Sequence, residues 1–368
     1  MSIDPRGAVL PCCRIQEPMG YLKDERIDEI WNNDNYKALR QKFLDGEKPV
    51  ECTDCWNAED AGQQSMRHWQ NDTRGTADLH FESSHVDTPP ILYEFKTTNV
   101  CNLKCRMCGA FNSSQIAKEQ STPEVRKHFL SNKLIGTEHE PIIKKWLVDS
   151  KYILLAGGEP FVNNEIKDLL QYLDDNDLLS NIHIQVITNG MYYNQKFVDQ
   201  FKRCESFELK ISLDDIGKRN DYQREGSDFD LIEENFFKLA KDFKNVIEFN
   251  CTMNWFNIWH IDELLEYADN NATKVSICYC ENPKFFALHN LPQKIKDQVN
   301  EKFKNVNDER IDLILNRMNL PADPNVRSPL QGFFDHCSYY DKLRGNDFRS
   351  AFPEWSKILE NELPRTIQ

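Results

Sequence analysis

Three cysteines follow one another at a spacing that suits an iron–sulfur cluster. They lie in the run Cys101-Asn-Leu-Lys-Cys105-Arg-Met-Cys108, a CxxxCxxC pattern. Structural zinc prefers four ligands, and no fourth Cys or His adjoins this run. A 4Fe-4S cluster bound by three thiolates leaves one iron open to an outside ligand, which suits cofactor chemistry. The run therefore predicts such a cluster, and a zinc knuckle completed by a distant residue is the alternative.

Short polar motifs follow the strands that the sequence predicts further along the chain. Gly157-Gly158-Glu159-Pro160 combines a glycine pair, which permits close backbone approach, with a carboxylate that can accept from an ammonium group. Thr188-Asn189-Gly190 and Ser212-Leu213-Asp214 end two further strands, where β/α proteins collect ligands. Arg224 could hold a carboxylate in its guanidinium fork, and a solvated surface arginine is the alternative.

The cysteine run and these motifs, in this order, resemble the radical S-adenosylmethionine (radical SAM) superfamily. The resemblance implies that a reduced 4Fe-4S cluster on Cys101, Cys105 and Cys108 splits S-adenosylmethionine into methionine and a 5′-deoxyadenosyl radical. Glu159 would receive the amino group of the methionine part, and Arg224 its carboxylate. Ser212 and Asp214 would meet the ribose hydroxyls. The cofactor-binding residues implied in this way are Gly157, Gly158, Glu159, Pro160, Asn189, Ser212, Asp214 and Arg224.

One position departs from the superfamily pattern. The residue before the last cluster cysteine is often aromatic there, and here it is Met107, so adenine would meet a thioether instead of a ring. Asn250 and Thr252 on the predicted fifth strand could line the same pocket, although strand alternation alone would put some polar residue there.

A second group of cysteines lies near the start of the sequence. Gly7-Ala-Val-Leu-Pro-Cys12-Cys13 and Cys52-Thr-Asp-Cys55-Trp resemble the SPASM or twitch auxiliary-cluster segment of the same superfamily, here placed before the barrel. The resemblance implies an auxiliary iron–sulfur cluster on Cys13, Cys52 and Cys55. Relatives carry a further cysteine upstream, whereas none precedes Cys12 here. Either the chain starts late, or the fourth iron is met by Cys12, by Cys337 or by no protein atom, and an open iron would suit substrate binding.

Strands and helices alternate through the middle of the sequence. The predicted strands are Ile91–Thr98, Tyr152–Ala156, Ile182–Thr188, Phe207–Leu213, Val246–Met253 and Lys274–Tyr279. The clearest helical periods are Asn164–Leu173, Gln195–Phe201, Phe229–Phe243 and Ile258–Ala268. Such alternation implies right-handed crossovers and a parallel sheet. With the resemblance, the predicted fold class is α/β: a partial (β/α)6 barrel with a small N-terminal iron–sulfur domain of the twitch/SPASM type and a helical C-terminal extension.

Composition shifts divide the sequence into four predicted parts. They are an auxiliary-cluster domain at 1–75, a linker at 76–90, the radical SAM barrel at 91–285 and the helical extension at 286–368. In the first part, apolar residues recur with helical spacing from Ile27 to Phe43, and Gly46 is a helix stop. In the last part, Pro292–Leu320 and Ala351–Leu363 have helical patterns.

Composition also excludes several classes of protein. In 368 residues, 45 Lys and Arg against 59 Asp and Glu give a net charge of −14, which would repel a phosphate backbone. Twelve cysteines are too few for a disulfide scaffold of this length. No apolar run approaches the roughly 18 to 20 residues of a membrane span, and the first residues lack a signal-peptide pattern. We therefore expect a cytoplasmic protein without a nucleic-acid or membrane partner.

The motifs and the resemblance together predict a radical enzyme that abstracts hydrogen from a substrate. The first substrate hypothesis is a peptide or protein side chain, and the second is a small metabolite such as a sugar or an amino alcohol. An electron donor such as flavodoxin or ferredoxin would reduce the cluster. A non-catalytic iron–sulfur binding protein and a zinc-stabilised interaction protein are the alternatives from other classes.

Overall fold

The chain divides into two compact units in a computed structural model, which describes residues 1–60, 62, 64–74, 81–120, 137–243 and 246–363. Unit 1 comprises Met1–Asn102, Gly109–Ile187 and Asn194–Glu208, and unit 2 comprises Leu103–Cys108, Thr188–Tyr193 and Leu209–Gln368. The division passes through the CxxxCxxC run, so Cys101 belongs to unit 1 whereas Cys105 and Cys108 belong to unit 2.

Unit 1 contains a mixed sheet in the order β3-β2-β1-β4-β5-β6. Its strands are β1 (Ser2–Ile3), β2 (Ala8–Leu10), β3 (Gly20–Tyr21), β4 (Leu92–Phe95), β5 (Tyr152–Leu155) and β6 (His183–Thr188). The first three strands pair antiparallel, whereas β1, β4, β5 and β6 pair parallel. Ser2 pairs with Glu94, so the N-terminal segment extends the same sheet as the first β/α strand.

Unit 1 combines helices with a clear apolar period in the sequence and shorter, more polar ones. They are α1 (Ile27–Trp31), α2 (Asp34–Leu44), α3 (Thr53–Asp60), α4 (Met66–Arg74), α5 (Ser114–Gln120), α6 (Glu140–Leu147), α7 (Asn164–Asp175) and α8 (Gln195–Phe201). The helical pattern from Ile27 to Phe43 is two helices, because the Asn33 side chain accepts from Tyr36 N–H at 3.1 Å and caps the second one. Gly46 has a φ of +73°, as expected just after a helix.

Unit 2 contains parallel strands, and two of its helices pack against the central strand of this group. The strands are β7 (Ser206–Ser212, from Leu209 onward in unit 2), β8 (Ile247–Met253) and β9 (Lys274–Tyr279). The helices are α9 (Gly217–Gln223), α10 (Phe229–Phe243), α11 (Ile261–Asn270), α12 (Gln293–Phe303), α13 (Glu309–Met318), α14 (Pro329–Arg344), α15 (Phe348–Ala351) and α16 (Pro353–Glu360). Phe249 of β8 packs against Phe236 of α10 and Tyr267 of α11, with ring centroids 5.0 Å and 5.8 Å away.

The C-terminal helices join unit 2 through aromatic residues. Trp355 is fully buried, donates its indole N–H to Trp255 O at 2.5 Å and stacks on Trp259 with a centroid separation of 5.3 Å. Phe352 packs against Phe256 at 5.9 Å. The extension is therefore part of the core of this unit.

All six predicted strands are present, and the predicted α/β alternation is confirmed. The pattern over Pro292–Leu320 is two helices, since Asp308 accepts from Arg310 N–H at 2.8 Å and starts the second one. The long helix α14 was not among the predicted elements, because Gly332 and several polar residues interrupt its apolar pattern. The division into four parts stays a prediction, and residues 76–80 of its linker lie outside the described residues. Within the described parts of the chain, no helix is long and apolar enough to cross a membrane.

Candidate functional site

The cluster loop, residues 103–108, is held in unit 2 by its backbone. Lys104 and Arg106 donate their N–H groups to the carbonyls of Glu225 and Gln223, at 2.8 Å each. These bonds pair the loop with the segment that was predicted to bind the cofactor. The loop has no helix or strand of its own, so this pairing is what gives it a fixed backbone.

Arg224 and Asp214 form a buried ion pair. Arg224 Nε lies 2.8 Å from Asp214 Oδ2, and Arg224 Nη2 donates to Asp214 Oδ1 at 3.0 Å. Thr252 N–H donates to the same Oδ1 at 2.7 Å. Arg224 is only 8% exposed, so the alternative of a solvated surface arginine is wrong. Burial works against the charged form, but the Asp214 carboxylate outweighs it and raises the pKa of Arg224.

Cys105 lies beside this ion pair. Its pKa is raised, chiefly because burial disfavours the thiolate, while the Arg224 guanidinium acts in the opposite direction. Iron binds the thiolate, so assembly of a cluster on Cys105 would require this thiol to release a proton. The charge of Arg224 lowers the free energy of that deprotonation.

Asn189 and Ser212 lie where their strands end, as predicted, and both are buried. The Asn189 side chain accepts from Met191 N–H at 3.0 Å and so shapes its own turn. Gly190, with a φ of +77°, accepts at its carbonyl from the Asn235 side chain at 2.9 Å. This turn is therefore fixed from both sides within unit 2.

The Gly157-Gly158-Glu159-Pro160 motif is a tight turn after β5 in unit 1. Gly157 and Gly158 have φ values of +80° and +55°, in the left-handed region that favours glycine. A Cβ atom on Gly158 would lie 2.3 Å from the carbonyl oxygen of Val100, the residue before Cys101. Glu159 N–H donates to the same carbonyl at 2.8 Å. The motif therefore packs directly against the backbone that leads into the first cluster cysteine.

Glu159 is fully buried, and its Oε1 accepts from Phe161 N–H at 3.1 Å. The carboxylate thereby caps the 3-10 turn Pro160–Val162. Burying a carboxylate is costly, and a bound ammonium group would add a compensating charge. This position is compatible with the predicted contact to the amino group of the cofactor.

Asn99 and Ser114 hold the segment around Cys101, and the sequence analysis missed both. Cys101 N–H donates to Ser114 Oγ at 3.2 Å, and Ser114 N–H donates to Asn99 O at 2.6 Å. The Asn99 side chain donates to Ala110 O at 2.9 Å. The polar run Thr97-Thr98-Asn99 directly after a strand was the available signal.

In the N-terminal cysteine group, Cys12 interacts with its neighbour Cys13 and, electrostatically, with Cys52. Cys12 Sγ accepts from Arg14 N–H at 3.3 Å, and a hydrogen bond from Cys13 lowers the pKa of Cys12 while the same bond raises that of Cys13. Burial, with smaller contributions from Cys12 and Cys55, raises the pKa of Cys52 to about 11. The assignment of Cys13, Cys52 and Cys55 to the auxiliary cluster, with Cys12 or Cys337 as a possible ligand of the fourth iron, stays a prediction.

Aromatic and charged residues brace the segment from Cys52 to Cys55. The Trp56 indole donates to Pro49 O at 2.9 Å, and the Arg67 guanidinium lies 4.6 Å from the Trp56 ring centroid. Arg67 also pairs with Glu59 at 2.6 Å. Helix α4, through Arg67, thus contacts the helix that carries Cys55.

Cys337 is buried in unit 2. Burial raises the pKa of its thiol, and Tyr222, Arg106 and Asp341 are its polar neighbours. Residues of its own unit therefore enclose this thiol.

A polar row on one face of β7, β8 and β9 was also missed. Lys210 Nζ donates to Ser276 Oγ at 2.9 Å and lies 3.3 Å from Glu248 Oε2, to which Ser276 Oγ donates at 3.0 Å. The three residues are half-buried and stand on the same face as Ser212 and Asn250, two positions along their strands. Only the pairing of three distant strands brings them together, so no local signal could have found them.

The donor chemistry of both cysteine groups fits iron–sulfur clusters. Cys101, Cys105 and Cys108 are partly exposed, and none of the motif cysteines is in a disulfide. Among the described residues, no group of three His, Cys, Asp or Glu side chains is arranged closely enough to hold a metal ion. The absence of a Cβ atom at Gly158 lets this turn pack closely against the Val100 backbone.

Two family models match the chain. The radical SAM superfamily matches residues 95–268, and the SPASM iron–sulfur cluster-binding domain matches residues 1–56. Their order confirms the predicted arrangement, with the auxiliary-cluster domain before the radical SAM domain. The two domains imply a catalytic 4Fe-4S cluster, an auxiliary cluster and S-adenosylmethionine, as the motifs had predicted.

Individual relatives are similar over part of the chain. A 7,8-dihydro-6-hydroxymethylpterin dimethyltransferase of Methanocaldococcus jannaschii is 24% identical over 50% of this chain and 35% of its own length. An AdoMet-dependent heme synthase of Methanosarcina barkeri is 23% identical over 34% of this chain and 31% of its own. The chain thus spans about a third of the length of these curated relatives. Among solved structures, anSMEcpe with bound AdoMet and a Cp18Cys peptide has 18% identity and a TM-score of 0.41, covering 69% of this chain and 61% of that one.

Proposed function

We propose that this chain, which belongs to the radical SAM superfamily and carries an N-terminal SPASM domain, cleaves S-adenosylmethionine reductively and uses the product to abstract hydrogen from a substrate. The observation that carries the proposal is the cluster loop, which unit 2 pairs with the segment next to Arg224. When bound, the cluster supplies one electron to the sulfonium, which yields methionine and a 5′-deoxyadenosyl radical that takes a hydrogen atom from the substrate.

The residues of the chain would divide the remaining work. Cys101, Cys105 and Cys108 would hold the catalytic cluster. Glu159 would orient the amino group of the cofactor, and Arg224 would orient its carboxylate through charge-assisted hydrogen bonds.

The other predicted cofactor contacts would position the rest of the molecule. Ser212 and Asp214 would meet the ribose hydroxyls, and Asp214 would also keep Arg224 in place through the ion pair. Asn189 would line the adenosine part. The glycine turn with Pro160 would bring the backbone close to the methionine part. An electron donor of the flavodoxin or ferredoxin type would reduce the cluster.

For the auxiliary cluster, we propose Cys12, Cys52 and Cys55 as protein ligands, with Cys13 as a hydrogen-bond donor to Cys12. The N–H of Arg14 and the thiol of Cys13 both stabilise the Cys12 thiolate, which is the form that binds iron. Cys12→Ser should therefore lower the auxiliary iron content, whereas Cys13→Ser, the matched control, should retain most of it. Iron loss only in the Cys13 variant would restore the assignment to Cys13.

A peptide or protein side chain is the first candidate substrate, as the resemblance to peptide-modifying relatives implied. A small polar molecule is the second, and the Lys210–Ser276–Glu248 row supports it because these groups suit hydroxyl, amino or carboxylate groups. The curated relatives are named for work on small molecules, a pterin and heme.

Anaerobic reconstitution, iron and sulfide counting and a 5′-deoxyadenosine assay test the proposed function. The Cys101→Ala/Cys105→Ala/Cys108→Ala variant should lose 5′-deoxyadenosine formation and keep its auxiliary iron. Cys204→Ala, which lies outside all motifs, is the control. Cofactor cleavage that persists in the triple variant would refute the assignment, and a colourless zinc-bound protein would refute the iron chemistry itself.

Stimulation of 5′-deoxyadenosine formation separates the two substrate classes. Synthetic peptides and a pool of small polar metabolites would be compared as stimulants with the reconstituted protein. If a metabolite is the substrate, Lys210→Met should raise its KM. If only peptides stimulate and Lys210→Met has no effect, the second candidate falls.

A further inference from the structure

Arg106 lies between the second and third cysteines of the cluster motif, and its side chain is 0% exposed. A buried guanidinium group loses its hydration and is stable only when protein groups replace the lost water. Arg106 Nε donates to Tyr222 O at 2.9 Å, and the guanidinium carbon lies 3.7 Å from the centroid of the Tyr222 ring. The charge itself is met by Asp341, whose Oδ1 lies 2.6 Å from Arg106 Nη2.

Asp341 is in turn fixed by several neighbours. It belongs to α14, and its Oδ1 also accepts from the Tyr222 hydroxyl at 2.9 Å. Its Oδ2 accepts from Phe348 N–H at 2.8 Å. The two carboxylate oxygens are thus held from different directions, which leaves Asp341 a single orientation toward Arg106.

Helix α14 contacts the cluster loop at a second point. Arg344, three residues after Asp341 on the same helix, donates to Lys104 O at 2.9 Å. The loop therefore touches the helix at the residues before and after Cys105. Helix α14 (Pro329–Arg344) lies outside the spans that match the family models, 95–268 and 1–56.

We propose that Asp341 is a positioning residue for the catalytic cluster, acting through Arg106. The buried pair fixes the backbone between Cys105 and Cys108, so that both thiolates face one iron–sulfur cluster with a defined separation. The C-terminal helix would thereby set the geometry and the charge around the iron site without touching it. This inference rests on the proposed function for the identity of the cluster, and its geometric part concerns the polypeptide alone.

The geometric part is tested in the apoprotein by hydrogen–deuterium exchange. Asp341→Asn keeps an acceptor oxygen but removes the charge opposite Arg106, so the N–H groups of Lys104 and Arg106 should exchange at least about tenfold faster. The matched control is Asp335→Asn on the same helix, where an exposed carboxylate accepts from the Gln331 side chain. Unchanged exchange of the loop in Asp341→Asn would overturn the proposal.

The cluster part is tested in the reconstituted protein by spectroscopy. Asp341→Asn should shift the reduction potential of the catalytic cluster upward, because Arg106 is left as an uncompensated positive charge beside it, and should speed loss of its iron to a chelator. The auxiliary cluster should keep its spectrum. An electron paramagnetic resonance spectrum and a potential identical to those of the unmodified protein would overturn this part.

Two further variants separate a loss of the Arg106–Asp341 contact from a general failure of Asp341→Asn to fold. If Asp341→Asn does not fold, Tyr222→Phe removes only one of the bonds that orient Asp341 and should give the same changes in smaller degree; unaltered exchange in it would count against the proposal. In Asp341→Asn, adding Arg106→Met should have little further effect on loop exchange, since both act through one pair. Failure of the unmodified protein to assemble a cluster on Cys101, Cys105 and Cys108 would refute the proposed function. The exchange result tests separately whether the Arg106–Asp341 pair fixes the cluster loop.

Discussion

At the scale of single residues, the candidate site depends on charges that the fold removes from water. Glu159 is fully buried, and Arg224 is 8% exposed and paired with Asp214. Such groups keep their charge only when neighbours replace the lost hydration. A charged ligand therefore gains more from them than from the same groups on the surface.

Replacing either Glu159 or Arg224 should weaken cofactor binding. Glu159→Gln keeps the acceptor for Phe161 N–H but removes the negative charge opposite the ammonium group of the cofactor. Arg224→Ala removes the guanidinium group that would bind the carboxylate of the cofactor. Each lost charge-assisted bond contributes roughly 1.5 to 3 kcal/mol, so the Kd for S-adenosylmethionine should rise about tenfold or more by calorimetry. Arg349→Ala, at an exposed arginine of unit 2, is the control. An unchanged Kd would remove that residue from the site.

Asp215, the neighbour of Asp214, should make stability depend on pH. Burial raises its pKa to about 7, although Arg219 Nε donates to it at 2.9 Å and opposes the rise. Between about pH 4 and 7 the folded chain keeps a proton that the unfolded chain releases. Stability should therefore fall as pH rises through this window, and level off above it.

The Asp215→Asn variant isolates this effect because asparagine does not titrate. Its free energy of unfolding relative to the unmodified apoprotein should increase between pH 4 and 7, by on the order of 1 kcal/mol per pH unit. Urea unfolding at a series of pH values measures it. A difference that stays constant with pH would show that Asp215 is ionised throughout the range.

At the scale of elements, short turns after the strands carry the candidate site. The turn after β5 needs two residues with positive φ, and its second glycine touches the backbone before Cys101. The turn after β6 is fixed by its own Asn189 side chain and by Asn235 of α10. The strands hold the ends of these turns in fixed positions, and the turns carry the residues of the candidate site.

Gly158→Ala should disrupt the turn after β5 more than its backbone angle alone requires. Alanine at a φ of +55° costs about 1 kcal/mol or somewhat more, and its Cβ would lie 2.3 Å from Val100 O. Gly217→Ala is a matched control, because Gly217 has a φ of +56° and no atom within 4 Å of the added Cβ. We expect a larger loss of stability, and weaker binding of S-adenosylmethionine, only in Gly158→Ala. Equal thermal shifts in the two variants would mean that the Val100 backbone moves aside at little cost.

At the scale of the whole molecule, the C-terminal helices are part of the core of unit 2. Trp355 of α16 is fully buried against Trp255 and Trp259, far along the sequence from it. The same unit contains the cluster loop and the Asp214–Arg224 pair. Its stability should therefore depend on residues that lie beyond the radical SAM family match.

Trp355→Ala should destabilise unit 2 by about 3 to 5 kcal/mol, the usual cost of removing a large buried aromatic side chain. Tyr339→Ala on α14, where the side chain is 58% exposed, is the control and should change stability little. Denaturant unfolding followed by tryptophan fluorescence would measure both. Similar small shifts in the two variants would show that the C-terminal helices are not needed for the core.

The sequence by itself determined the local features of this protein. The CxxxCxxC run, the glycine turn and the polar strand ends are short-range patterns. So are the periods that placed the six β/α strands and four of the helices that connect them. Each depends on the conformation or chemistry of neighbouring residues, so each can be predicted without knowing the fold.

Only the tertiary structure decided which of these residues meet. Arg106 and Asp341 are 235 positions apart in the sequence. Ser2 of β1 pairs with Glu94 of β4, although the N-terminal cysteine segment separates the two strands in the sequence. The same is true of the row formed by Lys210, Glu248 and Ser276. Hydrophobic burial and strand pairing select such contacts from many chemically equivalent ones. No local pattern can record that choice, because its free energy comes from the packing of distant elements.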